Sequence, residues 1–223
     1  PAGQPERMQL VVRGYNDGFA FCYKIPDGKG PCVNVQSELT AYNFAGDYTA
    51  WFYNGENHNI GPEKLTETDG TRLPVMTVKA GDKHYMAIHE ACLETGAPLV
   101  LQSKGGESLF SVASKPTSLS PGYTSAWRVV LYGTTPGVLT DSHLLELLNP
   151  DPDSRYDFSW VKPGLAVWDW RINGAVWDGF TYGMSYPSWV RMVDFAAEQG
   201  FKYLVLDANW YGPEFESDSD PVK

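Results

Sequence analysis

The pattern of apolar residues changes near residue 150 of this chain. Residues 10–135 contain about ten short apolar segments separated by turn signals, which is typical of an all-β sandwich. After residue 160, an apolar segment, an amphipathic helix and a second apolar segment follow one another, as in parallel sheets. We therefore expect this chain of 223 residues to form an all-β sandwich followed by one β-α-β unit.

The apolar segments of the first region predict strands. The Asn-Asp-Gly sequence at residues 16–18 supplies a positive-φ turn between the first two. Ser114, Ser118 and Ser120 lie in a Ser/Pro-rich linker without the sequence motif of a serine nucleophile, so a serine hydrolase finds no support. The predicted strands are residues 10–14, 19–25, 32–35, 38–44, 48–53, 73–79, 83–91, 99–103, 109–112 and 126–132.

Helical spacing first appears at the end of this region. Residues 141–149 (DSHLLELLN) predict a helix that stops before a Pro-rich stretch. Residues 164–170 and 201–207 predict buried parallel strands, and residues 187–199 predict a helix that ends before Gly200. The predicted parts are a β-sandwich domain at 1–138, a helical linker at 139–159 and a βαβ region at 160–223.

The charge of the chain limits its partners. It carries 17 Lys and Arg against 27 Asp and Glu, a net charge of -10 that is the wrong sign for nucleic acid or anionic lipid. No apolar run reaches the roughly 18 residues that predict a membrane span. The first residues lack the regions of a signal peptide, and because the chain starts at Pro1 we expect a processed or cut product.

The three cysteines do not predict a metal site. Cys22, Cys32 and Cys92 lack the CxxC spacing of zinc ligands. Cys22 and Cys32 flank a predicted turn at residues 26–30, so a disulfide across a hairpin and two unpaired thiols both remain open.

Carboxylates and tryptophans coincide in the second region. Ligands of parallel α/β folds bind at the carboxyl ends of strands, where Asp169 and Asp207 are expected. Trp168 and Trp170 flank Asp169, and six of the eight Trp lie between residues 160 and 210. Carboxylates beside flat apolar rings suit sugars. The alternative is that the two Trp pack in a core while Asp207 caps a helix or pairs with a cation.

Glu90 is the second candidate site residue. Strand alternation over residues 85–91 puts His89 and Glu90 on opposite faces. If it is buried, the Glu90 carboxylate must accept hydrogen bonds, pair with a cation or ligate a metal. A solvated or paired Glu90 is the alternative, and one carboxylate alone is not a calcium site.

Several separated segments resemble glycoside hydrolase family 97, the α-glucosidases and α-galactosidases best represented in gut Bacteroidetes. The most specific similarity is the sequence WVKPG at residues 160–164, followed by VWDW at residues 167–170. Residues 87–93 (AIHEACL) resemble the family's ITEADL strand. The other similar segments are 18–23 (GFAFCY), 47–51 (DYTAW), 194–200 (DFAAEQG) and 203–207 (YLVLD).

The resemblance implies a fold and an activity. It implies an N-terminal super-sandwich and the first β-α-β of a (β/α)8 TIM barrel, with the catalytic carboxylates in the remainder of the same polypeptide. Glu90 occupies the position of a calcium ligand; Asp169, Asp207, Trp168 and Trp170 would bind an oligosaccharide. The implied parent is an exo-acting, calcium-dependent α-glycosidase, periplasmic or secreted, and the chain alone would be inactive.

Two alternative functions remain. One is a non-catalytic carbohydrate-binding sandwich protein with a degenerate barrel remnant. The other is a structural scaffold in which the aromatic residues are buried.

Overall fold

A computed structural model describes residues 8–220 of the chain. The chain divides into two compact units, Pro1–Pro152 and Asp153–Lys223. The regular elements of the first unit are mainly strands, whereas the second combines helices with short strands.

Residues 8–152 of the first unit form twelve strands and two short helices. The strands are β1 (Gln9–Tyr15), β2 (Gly18–Lys24), β3 (Val33–Val35), β4 (Ala41–Asn43), β5 (Thr49–Tyr53), β6 (Ile60–Lys64), β7 (Asp69–Lys79), β8 (Tyr85–Ala91), β9 (Leu101–Lys104), β10 (Leu109–Val112), β11 (Thr117–Leu119) and β12 (Trp127–Gly133). The helices are α1 (Pro136–Asp141) and α2 (Leu144–Leu148), and a 3₁₀ turn covers Leu65–Glu67.

Ten of these strands form one antiparallel sheet in the order β1-β2-β12-β8-β7-β9-β10-β4, with β5 and β6 attached beside β7. Strand β7 bends the sheet because its two halves have different partners. Its residues 69–72 pair with β9, and residues 76–79 pair with β8 and also with β5. Strands that change partners in this way make the corners of sandwich-like sheets. The predicted β-sandwich class is therefore confirmed as a curled, sandwich-like sheet.

The two faces of the sheet bury separate cores. One core contains Phe52 and Phe110, whose ring centroids lie 5.8 Å apart. On the other face, Val129 and Leu131 of β12 pack with Leu144 of α2. Alternate residues of one strand thus contribute to opposite cores, as the pleat of a strand requires.

The described part of the second unit, residues 153–220, contains one parallel strand pair. Its elements are β13 (Ala166–Trp168), α3 (Asp169–Ile172), β14 (Val176–Trp177), β15 (Phe180–Thr181), α4 (Tyr186–Gln199) and β16 (Tyr203–Val205). Strands β13 and β16 pair in parallel, with α4 between them in the chain, and β14 pairs with β15. Helix α4 has a Pro in its first turn and ends at Gly200, whose φ of 72° is left-handed, so the predicted helix ends are confirmed.

Several predicted bounds are wrong for identifiable reasons. The strand predicted at 164–170 stops at Trp168, because Asp169 starts α3, where a carboxylate is favourable in the first turn. The helix predicted at 141–149 is shortened to α2, because Asp141 ends α1 and Ser142 and His143 lie between the two helices, where the Ser142 Oγ accepts a hydrogen bond from the Leu144 backbone N–H. Strand β6 was not predicted, and β11 lies in the predicted Ser/Pro-rich linker.

Candidate functional site

Glu90 lies in the interior of the first unit, directly opposite Arg128. The register of β8 and β12 pairs these two residues across the strands, so their side chains project from the same face. That face carries the core that contains Ile88, two residues before Glu90 on β8. Strand geometry thus brings an acidic and a basic side chain together at the edge of an apolar core.

Arg128 joins two carboxylates. Its Nε and Nη2 donate to Oε1 and Oε2 of Glu38 at 3.0 and 2.6 Å, and its Nη1 donates to Oε2 of Glu90 at 3.3 Å. The exposed fractions of the Arg128, Glu90 and Glu38 side chains are 6%, 11% and 18%. We call these three residues the Glu38–Arg128–Glu90 cluster. Glu90 is therefore paired, one of the alternatives that its sequence position left open.

The charges in this cluster support one another. Burial raises the pKa of Glu38, but its hydrogen bonds to Arg128 and the Arg128 charge outweigh burial and hold that pKa below its usual value. Burial lowers the pKa of Arg128, and the bonds to Glu38 outweigh this and raise it. Glu38 and Arg128 are thus both charged near neutral pH.

A second contact fixes the Glu90 carboxylate. The backbone N–H of Leu99 donates to Glu90 Oε2 at 2.9 Å, so Oε2 accepts from both Leu99 and Arg128. These two contacts leave Oε1 as the oxygen for a further ligand.

His89 lies on the other face, and its Nδ1 accepts a hydrogen bond from the Glu90 N–H at 2.8 Å. Burial lowers the pKa of His89, which favours the neutral ring that this acceptor role needs.

A cavity of about 770 Å³ borders the cluster within the first unit. Arg128 and Glu38 form part of its wall, together with apolar and aromatic residues that include Tyr23, Leu39 and Tyr123. Sequence reasoning missed both Arg128 and Glu38. The available signal was a charged residue inside the apolar segment 126–132, because a buried Arg needs an acidic partner.

Asp169 is the most buried of the predicted sugar-binding residues. It is 1% exposed, and each of its oxygens accepts a protein donor. Trp189 Nε1 donates to Oδ2 at 2.9 Å, and the Asp207 backbone N–H donates to Oδ1 at 3.0 Å. These bonds connect the ends of β13 and β16 to helix α4. In this structure Asp169 holds the parallel pair together, and its role toward a sugar stays a prediction.

Asp207 and the two tryptophans are more accessible. Trp168 Nε1 donates to Asp207 Oδ2 at 2.7 Å, and the guanidinium of Arg171 lies 4.7 Å from the centre of the Trp168 ring. The ring of Trp170 is on the surface, with 51% of the residue exposed. The structure places Asp207 beside Trp168, a contact that the sequence did not predict, and neither Trp is buried in a core. Their sugar-binding role is untested.

The structure shows the state of the three cysteines. Cys22, Cys32 and Cys92 are all free, so of the two open alternatives the structure shows unpaired thiols.

Within residues 8–220, the helices are too short or too polar to cross a bilayer. The same residues contain no cluster of three or more His, Cys, Asp or Glu side chains that could hold a metal ion.

Comparisons with known proteins agree on one family. Residues 2–150 match the family described as Glycosyl-hydrolase 97 N-terminal. The chain is 28% identical over 244 residues to a retaining alpha-galactosidase of Bacteroides thetaiotaomicron, covering 90% of this chain and 36% of that protein. It is 30% identical over 225 residues to a probable retaining alpha-galactosidase of Streptomyces bingchenggensis, covering 92% of this chain and 32% of that protein.

Solved structures give the same result. A glycoside hydrolase family 97 enzyme from Pseudoalteromonas sp. strain K8, in complex with acarbose, matches with a TM-score of 0.74 and 25% identity. The match covers 92% of this chain and 34% of the solved one. This chain thus spans about a third of the length of the relatives it matches. On the match of residues 2–150, the chain belongs to glycoside hydrolase family 97.

Proposed function

We propose that the full-length protein containing this chain is an exo-acting glycoside hydrolase that removes terminal α-linked galactose or glucose from oligosaccharides. The observation that carries the proposal is the family match over residues 2–150. One relative is named as a retaining alpha-galactosidase and the other as a probable retaining alpha-galactosidase. These names favour galactose as the sugar and a retaining mechanism. Glucose remains the alternative sugar.

The second unit would form the start of the catalytic barrel. The parallel pairing of β13 with β16, with α4 between them in sequence, is the repeating unit of a (β/α)8 barrel. Glycosidases of this kind need two carboxyl groups flanking the scissile bond. Because Asp169 is already engaged by Trp189 and Asp207, we assign the catalytic pair to later barrel strands, and expect the chain alone to be inactive.

In a retaining mechanism, one carboxylate attacks the anomeric carbon while a carboxylic acid protonates the leaving oxygen, and water then releases the sugar. The residues of this chain would act in binding. Asp207 offers acceptor oxygens to sugar hydroxyls, and the exposed Trp170 ring offers an apolar face. The Asp207 carboxylate is held in place by Trp168.

Glu90 would supply one calcium ligand from the sandwich. Calcium takes six to eight oxygen ligands, and a carboxylate oxygen such as Glu90 Oε1 fits that preference. The described residues provide no complete ligand set, so the other ligands would come from elsewhere in the full-length protein. When bound, the ion would orient the substrate and polarise the site. Periplasmic or secreted localisation belongs to the same proposal, and cell fractionation would test it.

Activity assays on the full-length protein test this proposal. We expect hydrolysis of p-nitrophenyl α-galactoside, or of the α-glucoside, that is lost in EDTA and restored by calcium. Retention would appear as the α-anomer in the first-formed product by NMR. Absence of activity on both substrates in the presence of calcium would contradict the enzyme, and full activity in EDTA would contradict only the role of Glu90.

One observation favours a second candidate function, a non-catalytic carbohydrate-binding sandwich. The cavity of about 770 Å³ in the first unit is of the size that small ligands occupy, and it presents Tyr23 and Tyr123 beside the Glu38–Arg128 pair. Calorimetry with galacto- and gluco-oligosaccharides would detect such binding. In this case a Tyr123→Ala substitution would weaken binding, while the enzyme proposal expects no such effect.

A further inference from the structure

We propose that Glu38 and Arg128 are positioning residues for calcium, which orient Glu90 and keep its negative charge available to the ion. The inference rests on the proposed function, because it takes Glu90 to be a calcium ligand. Neither Glu38 nor Arg128 would touch the metal. Each would act through the Glu90 carboxylate.

The two carboxylates share Arg128 unequally. Glu38 receives two hydrogen bonds from the guanidinium, at 3.0 and 2.6 Å, whereas Glu90 receives one, at 3.3 Å. Paired bonds between a guanidinium and a carboxylate are the stronger arrangement. Glu38 is therefore the main partner of the positive charge on Arg128.

The Glu38–Arg128–Glu90 cluster carries a net negative charge. Two carboxylates and one guanidinium leave one negative charge, and the unequal bonds place it mainly on Glu90. The three side chains are largely buried, so solvent screens their interactions less than at the surface. If Glu38 lost its charge, Arg128 would pair with Glu90 alone and compete with a cation.

Hydrogen bonds also set the orientation of the Glu90 carboxylate. Leu99 N–H and Arg128 Nη1 both bind Oε2 of Glu90, so the carboxylate is held through that oxygen and Oε1 is left for another ligand. Glu38 is itself held in place. The Thr40 hydroxyl donates to its Oε1 at 2.8 Å, and its backbone N–H donates to Ser114 Oγ at 2.8 Å. Outer partners of this kind commonly set the affinity of a metal site.

The test measures calcium binding rather than activity. Full-length protein freed of metal with EDTA is titrated with calcium chloride by isothermal titration calorimetry, as wild type, Glu90→Gln and Glu38→Gln. We expect Glu90→Gln to bind calcium least and Glu38→Gln to raise the Kd by about 10-fold. Melting temperatures without calcium are recorded for each variant, so that a loss of stability is seen separately.

The matched control is Glu63→Gln. Glu63 forms a half-buried pair with Arg72 at 3.2 Å in the same sheet, outside the Glu38–Arg128–Glu90 cluster. This substitution removes an equivalent acidic charge, so it should leave the calcium Kd unchanged. If Glu38→Gln behaves like Glu63→Gln, lowering the melting temperature without changing the Kd, the positioning role is overturned.

A milder variant covers the case in which Glu38→Gln does not fold. Thr40→Val removes the hydroxyl that donates to Glu38 and that also bonds the Tyr23 hydroxyl at 2.8 Å, and we expect it to raise the Kd by about 3-fold. An unchanged Kd would overturn the inference. The proposed function fails in a different way: a wild type that binds no calcium, or binds it as well as Glu90→Gln does, removes Glu90 from the ligand set.

Discussion

The two units of this chain use charged residues and aromatic rings in opposite ways. The first unit buries Phe52 and Phe110 in a core and encloses Arg128 between two carboxylates. In the second unit many aromatic side chains are exposed, and the ion pair of Asp153 with Arg155 lies at the surface. The first unit therefore has more buried apolar packing than the second, in which the buried apolar side chains among residues 153–220 are Met192 and Ala196 of α4.

The largest effect should come from the core of the first unit. Phe110→Ala removes a fully buried ring that packs on Phe52, and comparable substitutions cost about 3–5 kcal/mol. Hydrogen exchange with mass spectrometry should show loss of protection in β9 and β10. Phe215→Ala, at an exposed position of the second unit, is the control and should change little. Equal effects of the two substitutions would contradict the contrast between the units.

The next effect tests buried against exposed ion pairs. Arg128→Leu leaves two largely buried carboxylates without their cation, and breaking such a pair costs about 3 kcal/mol. Arg155→Leu breaks the surface pair with Asp153 and should cause no measurable loss of stability. Urea unfolding followed by circular dichroism compares the two variants. The reasoning fails if Arg128→Leu is as stable as wild type.

A smaller effect is expected in the second unit. Asp169→Ala leaves the Trp189 indole and the Asp207 backbone N–H without their acceptor, and an unsatisfied buried donor costs about 1–3 kcal/mol. Exchange should accelerate in β16 and α4 and remain unchanged in the first unit. Asp194→Ala, at an exposed position on α4, serves as the control. Protection of β16 equal to that of wild type would show that Asp169 does not hold the strand pair.

The smallest effect is a dependence on pH. Burial raises the pKa of Glu38, but its bonds to Arg128 outweigh burial, so the folded pKa lies below the usual 4.5. A carboxylate with a depressed folded pKa stabilises the protein above its unfolded pKa, and this stabilisation is lost as pH falls through the folded value. The melting temperatures of wild type and Glu38→Gln should therefore differ above pH about 4.5 and converge below it. A difference that does not vary with pH would contradict this account.

Short-range patterns predicted most strands of the first unit. Alternation and turn residues located β2, β5, β8 and β12 to within a few residues. Strand β6 escaped because its sequence, IGPEK, has one large apolar residue and includes Gly and Pro. Strand β11 is only three residues long, and its stability comes from pairing with β3, which is distant in sequence.

The candidate site was less predictable, because its contacts are between residues far apart in the chain. Glu90 was singled out by its position at the end of an apolar strand and by the family resemblance. Its partner Arg128 is 38 residues away, and Glu38 is 90 residues from Arg128. Asp169 was expected at a strand end, and the start of α3 at this residue turned its carboxylate toward Trp189. Such arrangements depend on register and packing, which local patterns do not specify.

The position of β12 in the sheet has a consequence for folding during synthesis. The hairpin of β1 and β2 is separated from β8 by β12, although β12 is the last strand of the sheet to leave the ribosome. Until then, β2 and β8 each present an unpaired edge, and such edges can pair with other chains. Closure also joins segments more than a hundred residues apart, and long-range closure of this kind folds slowly. The β1–β2 hairpin and β8 therefore both keep an exposed edge until β12 has been synthesised, and β12 covers both edges at once.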